Sequence, residues 1–143
     1  MKIKWTFGLL ILFSFIVPGL IYGQSDPVGI TDTVAIMNSN APRGGEARVE
    51  VYLNNDEPLY GISIPLRFSN QYISCDTVIF EGTKMGGIEL AHYSINNQEG
   101  SVLFGGIVMP GEEPLSTGPG TLAKLIFSIS PDAPVGLEVA LDT

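Results

Sequence analysis

The stretch that decides the fold spans residues 44–70 and has the sequence GGEARVEVYLNNDEPLYGISIPLRFSN. In its first half every second residue is apolar: Ala47, Val49, Val51 and Leu53. Side chains alternate between the two faces of a strand, so this pattern predicts a strand over residues 46–54 with one buried face. Tyr52 then points outward, together with Arg48 and Glu50.

The second half of the stretch predicts another strand over residues 59–69, after a tight turn at 55–58. Its apolar face holds Tyr60, Ile62, Ile64, Leu66 and Phe68. The opposite face holds Ser63, Pro65 and Arg67. Proline removes a hydrogen bond from a sheet, so its presence here leaves two interpretations, an ordinary strand or one face of a binding surface.

Strand-like segments continue along the chain, each ended by Gly, Pro or Asn, and no helical period competes with them. We predict strands at about 29–37, 46–54, 59–69, 72–81, 88–95, 101–109, 121–130 and 136–142. Short strands at this spacing predict an all-β domain, either a two-sheet sandwich or a small barrel. The last pattern stops at Thr143, and we expect a truncated final strand and a C-terminally incomplete domain.

The N-terminal residues 1–23 have the pattern of a secretory signal peptide. A basic start at residues 1–4 precedes an apolar run at 5–17, and cleavage is expected after Gly23. The alternative is a membrane anchor, but the run is shorter than the roughly 20 residues of a spanning helix. We therefore expect one secreted domain at residues 24–143, extracellular or at the cell surface, with no membrane insertion after signal removal.

The charge and the cysteine content exclude further classes. The chain has 7 basic and 15 acidic residues, and loss of Lys2 and Lys4 would leave five basic residues and a net charge of −10. Such an acidic chain is a poor ligand for nucleic acid or anionic membranes. The single cysteine, Cys75, has no internal disulfide partner, and its strand position predicts a buried thiol.

No set of reactive groups predicts an enzyme. The only histidine is His92, and no nucleophile motif accompanies it. Zinc needs more Cys and His ligands than the chain has, and no phosphate-binding glycine loop is present. We predict no catalytic residues, cofactor or metal site, with a weak calcium site left open at residues 54–57 or 112–113.

The pattern resembles the cohesin modules of bacterial cellulosomes, a superfamily that includes cellulose-binding modules. The likeness runs from Gly45 to Thr143 and rests on GGEARVEVYLNN, PLYGISIPLRFSN, ISCDTVIFEGT, GSVLFGGIV and GTLAKLIFSISPDAPVGLEVAL. The resemblance implies a jelly-roll β-sandwich of about eight to nine strands, without catalytic activity, in which one sheet face docks a calcium-loaded dockerin module. The family generally exposes Asn or Asp on the docking strand, where this chain has Ser63, Pro65 and Arg67.

We therefore predict a binding module whose partner is a dockerin-like protein or a polysaccharide. The candidate partner-binding residues are Ser63, Pro65, Arg67 and Tyr52. Tyr52 is included because an outward aromatic ring can stack on a sugar. The alternative is a structural spacer or an adhesin-type sandwich of a larger surface protein, with no small ligand.

Overall fold

The structure is a computed structural model, and it describes residues 29–69 and 71–143. The signal peptide predicted at residues 1–23 lies outside the described residues and stays a prediction. The described residues form eight strands: β1 (Thr33–Ile36), β2 (Glu46–Asn55), β3 (Gly61–Phe68), β4 (Ile73–Ile79), β5 (Leu90–Asn96), β6 (Ser101–Ile107), β7 (Gly118–Ile129) and β8 (Leu141–Asp142).

The strands form two four-stranded antiparallel sheets. Their orders are β1-β2-β7-β4 and β5-β6-β3-β8. Only β1–β2 and β5–β6 are consecutive strands within one sheet, so the other connections in the described chain cross between the sheets. This is the two-sheet jelly-roll sandwich that the resemblance implied, with a strand count inside the predicted range.

The core lies between the two sheets, as the alternating sequences require. The inward residues of β2, Ala47 to Leu53, face those of β3, Ile64 to Phe68, and all are buried. The rings of Phe68 and Phe127 meet edge to face across the core at a centroid distance of 5.2 Å. Burial of this apolar surface is the main force that holds the sheets together.

Two β-bulges adjust the alternation along the sheet that contains β7. Val51 pairs with Ala123 and Tyr52 with Thr121, so Leu122 is the extra residue, and it is fully buried. A second shift lies between Cys75 and Thr77 in β4. At each bulge, two neighbouring residues depart from the strict alternation between the two faces of the sheet. The apolar pattern of the sequence does not predict this departure.

Two details of the predicted strands are wrong. Tyr60 was expected on the core face, but it is 65% exposed, because β3 begins only at the next residue, Gly61. The segment 136–142 was expected to be a strand, but only Leu141–Asp142 pair, with Phe68 and Arg67 of β3. The buried position predicted for Cys75 is confirmed.

One end of the sandwich is closed by loops, and the other end is open. At one end, the loop that follows β4 and the loop that follows β6 close over the end of β2. At the other end, a cleft of about 490 Å³ opens between the 39–43 segment and the 133–141 segment.

Within the described residues, no helix has the length and apolar character needed to cross a bilayer.

Candidate functional site

The outward side of β3 holds three of the predicted site residues. Ser63, Pro65 and Arg67 are all exposed, and they alternate with the buried residues of the same strand. The structure therefore places these three side chains together on one sheet face, as the alternation predicted. Whether they contact a partner stays a prediction.

Pro65 costs the sheet no hydrogen bond in this position. The Tyr60 carbonyl accepts from the Val108 N–H at 2.8 Å, and the Phe68 N–H donates to the Gly100 carbonyl at 2.8 Å. In an antiparallel ladder the bonding residues alternate, so the even-numbered residues of β3 bond to β6. The nitrogen of Pro65 faces the other edge of β3, where β8 pairs only with Arg67 and Phe68.

Strands β5 and β6 extend this surface, which we call the docking face. It consists of the outward residues of β5, β6 and β3: Leu90, His92, Ser94, Asn96, Ser101, Leu103, Gly105, Ile107, Gly61, Ser63, Pro65 and Arg67. Their register arranges them in rows across the three strands. One row is Leu90–Ile107–Gly61, the next is His92–Gly105–Ser63, and the third is Ser94–Leu103–Pro65.

The docking face exposes aliphatic side chains that are not among the partner-binding residues predicted from the sequence. Leu90, Leu103 and Ile107 are 53%, 49% and 63% exposed. Leu90 and Ile107 are paired neighbours, and Leu103 is paired with Pro65. The signal for them was present, since alternation in 88–95 and 101–109 puts these apolar residues on the polar side of their strands.

Gly105 makes a shallow depression at the centre of the docking face. It lies between His92 and Ser63 in its row, and a Cβ atom there would come within 2.3 Å of the Ile62 carbonyl oxygen. The depression has a volume of about 290 Å³ and is rimmed by Leu90, Leu103 and Ile107. The missing side chain thus leaves an apolar hollow that a side chain of a partner can fill.

The docking face carries less negative charge than the protein as a whole. The net charge of the chain is −8, but none of the outward positions of β5, β6 and β3 holds a carboxylate. Arg67 is the cationic residue of the face. Asp142 of β8 is the register partner of Arg67, so an acidic residue lies beside Arg67 on the same face of the sheet.

Tyr52 lies on the other side of the molecule. It belongs to β2, in the sheet β1-β2-β7-β4, and its register partners are Ala35 and Thr121. Its outward neighbours along β2 are Glu50 and Asn54, and the Thr121 hydroxyl donates to the Glu50 carboxylate at 3.1 Å. The structure therefore does not bring Tyr52 together with Ser63, Pro65 and Arg67.

A second polar cluster lies at the end of β2. The carboxylates of Asp32, Asp56 and Glu57 have ligand atoms within 4.8 Å of one another. A hydrogen bond with Glu57, followed by one from the Ile30 N–H at 2.5 Å, lowers the pKa of Asp56. The weak calcium site left open at residues 54–57 falls in this region, and carboxylate oxygens are suitable calcium ligands.

Similarity to known proteins is found in the fold rather than in the sequence. No protein-family model matches the sequence, and no curated protein is significantly similar to it. Among solved structures, the chain is similar to the sixth cohesin of scaffoldin B from Acetivibrio cellulolyticus, solved with a Cel5 dockerin. The TM-score is 0.65 at 16% identity, over 80% of this chain and 83% of that one.

Two further structures support the same assignment. A type I cohesin–dockerin complex from Clostridium thermocellum, that of the OlpC cohesin, matches with a TM-score of 0.65 at 15% identity, over 85% of this chain and 84% of that one. A non-cellulosomal cohesin from the archaeon Archaeoglobus fulgidus matches with a TM-score of 0.54 at 16% identity, over 78% of this chain and 76% of that one. The protein has the cohesin fold, and the cohesin-like character that the sequence resemblance implied is confirmed at this level.

Proposed function

We propose that this protein is a secreted, non-catalytic docking module that binds a dockerin-type protein partner through the docking face. The observation that carries the proposal is the cluster of exposed Leu90, Leu103 and Ile107 around the Gly105 depression. Exposed apolar clusters of this kind, rimmed by polar residues, are typical of protein interaction sites.

The opposite sheet face makes a useful contrast within the same molecule. The outward positions of its central strands, β2 and β7, hold Arg48, Glu50 and Lys124. The Glu50 carboxylate also accepts a hydrogen bond from the Thr121 hydroxyl. Charged side chains of this kind stay solvated and are costly to bury in an interface. The distribution of apolar surface therefore favours the docking face as the contact surface.

The partner that fits this face presents aliphatic side chains and carries net negative or neutral charge. The aliphatic groups would fill the depression, where Gly105 leaves the sheet backbone accessible. An acidic group of the partner would pair with Arg67 in competition with Asp142, the register partner of Arg67 on β8. The dockerin modules in two of the similar complexes support a protein partner of this general kind.

Export supports the same function. The N-terminal pattern at residues 1–23 suits a protein that works outside the cytoplasm, in an extracellular or cell-surface assembly. Polysaccharide binding is less well supported, because the exposed apolar groups of the docking face are aliphatic rather than aromatic. Sugar rings stack on aromatic faces, and Tyr52 is the outward tyrosine of the other sheet.

The test is a direct binding measurement against a panel of calcium-loaded dockerins, with and without a calcium chelator. We expect calcium-dependent binding by at least one dockerin. The Ile107→Asp variant should weaken it at least tenfold, because it places a charge among the exposed aliphatic groups. Failure of every dockerin to bind the wild-type protein would contradict the proposal.

The matched control is Val135→Asp, which makes the same kind of change at an exposed position away from the docking face. We expect this variant to bind as the wild type does. Equal loss in both variants would show that added negative charge, rather than the docking face, controls binding.

A further inference from the structure

The closed end of the sandwich contains a lysine in contact with a buried asparagine. The Lys84 Nζ donates to the Asn55 Oδ1 at 2.6 Å, and it also donates to the Gly118 carbonyl. Asn55 is 2% exposed, and among the described residues it is the buried polar side chain. The two residues are 29 positions apart in the chain, so only the fold brings them together.

The Asn55 amide is held in one orientation. Its Nδ2 donates to the Glu57 carbonyl at 2.7 Å and to the Ser116 carbonyl at 3.2 Å. The carbonyl oxygen of the amide therefore faces Lys84, and the amide nitrogen faces away from it.

The lysine is also fixed along its length. The Lys84 N–H donates to the Thr121 carbonyl at 2.9 Å, and the aliphatic stem crosses Gly120, where a Cβ atom would lie 3.2 Å from its Cγ and Cδ. Burial lowers the pKa of Lys84 and the nearby charge of Asp32 opposes this shift. A desolvated lysine loses its proton more readily and becomes a nucleophile.

Acid–base groups lie beside the pair. Asp32, Asp56 and Glu57 form the carboxylate cluster described above, and Asp32 is the carboxylate whose charge acts on Lys84. A hydrogen bond joins the side chains of Asp56 and Glu57. The backbone of Glu57 already accepts a hydrogen bond from the amide nitrogen of Asn55.

From this geometry we propose that Lys84 and Asn55 form an intramolecular isopeptide crosslink, made by the protein itself. The neutral Nζ attacks the Asn55 Cγ, the Nζ–Cγ bond forms, and the Cγ–Nδ2 bond breaks. The Asp32 carboxylate accepts one proton from Nζ and returns it to Nδ2, so that the carboxylate is regenerated, and ammonia leaves. Nothing is oxidised or reduced, and no other reactant is needed. Fixing the two groups in contact replaces a slow bimolecular aminolysis by an intramolecular step.

The crosslink would tie together the closed end of the sandwich. Asn55 ends β2, Lys84 lies in the loop after β4, and β7 runs between these two strands in the sheet. A covalent bond between them would close a loop around the central strand and restrict the unfolded chain, as a disulfide does. The chain's single cysteine leaves it without that option.

The test is a tryptic peptide map of the whole purified protein by mass spectrometry. Trypsin cleaves after Arg48, Arg67, Lys84 and Lys124, so an uncrosslinked chain gives the separate peptides 49–67, 68–84 and 85–124. The crosslink blocks cleavage at Lys84. We expect one branched peptide, 49–67 joined to 68–124, lighter by one ammonia than its two parts. Recovery of unmodified 68–84 and 85–124 as the main products would overturn the proposal.

Three variants separate the chemistry from the packing. Asn55→Ala and Lys84→Arg should both restore the ordinary peptides, because each removes one reacting group. Asp32→Asn keeps an oxygen acceptor for the Asp56 N–H but cannot take up a proton, so we expect it to lower the crosslinked fraction at least tenfold while the far-UV circular dichroism is unchanged. A branched peptide that persists in Asn55→Ala would show that Asn55 is not the acceptor, and full crosslinking in Asp32→Asn would overturn the role of Asp32.

Discussion

Pro65 fits β3 at the scale of a single residue, because the β3–β6 ladder needs no N–H donor at this position. The even-numbered residues of β3 bond to β6, so the nitrogen of Pro65 lies on the other side of the strand. Pro65→Val should therefore change the free energy of unfolding by no more than about 0.5 kcal/mol, as surface substitutions do.

Urea unfolding checks this prediction. Ser63→Val is the control, because it adds a similar apolar side chain on the same face without adding an N–H. A large loss of stability in Pro65→Val would mean that the residue belongs to the bonded side of the ladder.

Cys75 gives a second prediction at this scale. Its side chain is buried, and burial, followed by the charge of Asp76, raises the pKa of the thiol to about 11. A raised thiol pKa disfavours the reactive thiolate, so at pH 8 only about one molecule in a thousand would carry it. We expect the native protein to resist a thiol reagent and to react with one equivalent after unfolding in urea. Fast stoichiometric labelling of the native protein would contradict the burial of Cys75.

At the scale of the element, Gly105 sets the distance between β3 and β6. A Cβ atom at this position would meet the Ile62 carbonyl oxygen at 2.3 Å and the Ser63 Cα at 3.0 Å. Because backbone atoms are in the way, Gly105→Ala forces the strands apart, and we expect a loss of about 1–3 kcal/mol in the free energy of unfolding. Gly87→Ala is the control, since no atom lies within 4 Å of a Cβ there. Urea unfolding of both variants measures the difference, and equal stabilities would contradict the close approach.

The sequence predicts elements well where one face is buried and the other is wet. Residues 46–54 and 59–69 alternate clearly, and both form long strands with the predicted faces. The prediction is less accurate at strand ends, because alternation continues past the last ladder pair. Tyr60 and residues 136–140 keep the apolar pattern but lie outside the ladders. The buried Leu122 of the β7 bulge has no signal of its own, since its neighbours are apolar too.

At the scale of the whole molecule, the sequence could not predict which strands belong to the same sheet. Ser63 and Tyr52 both point outward, but β3 and β2 belong to different sheets, so the two side chains lie on opposite faces. The contact of Lys84 with Asn55 was missed for a related reason. Both residues lie in polar turn sequences that indicate solvent exposure, and only the packing of the loops at one end of the sandwich buries Asn55 and half-buries Lys84 against it.

The separation of the two faces gives a prediction about which ligand the protein binds. If a dockerin occupies the docking face, Arg67→Ala should weaken its binding and reduce the salt dependence of association, because Arg67 is the cationic residue of that face. Tyr52→Ala should leave dockerin binding unchanged, since its ring lies on the sheet β1-β2-β7-β4. For cellulose or xylan fragments stacked on that ring, the effects of the two variants would be reversed. Calorimetric titration of both variants with both classes of ligand distinguishes these outcomes, and equal losses in the two variants would contradict a binding site confined to one face.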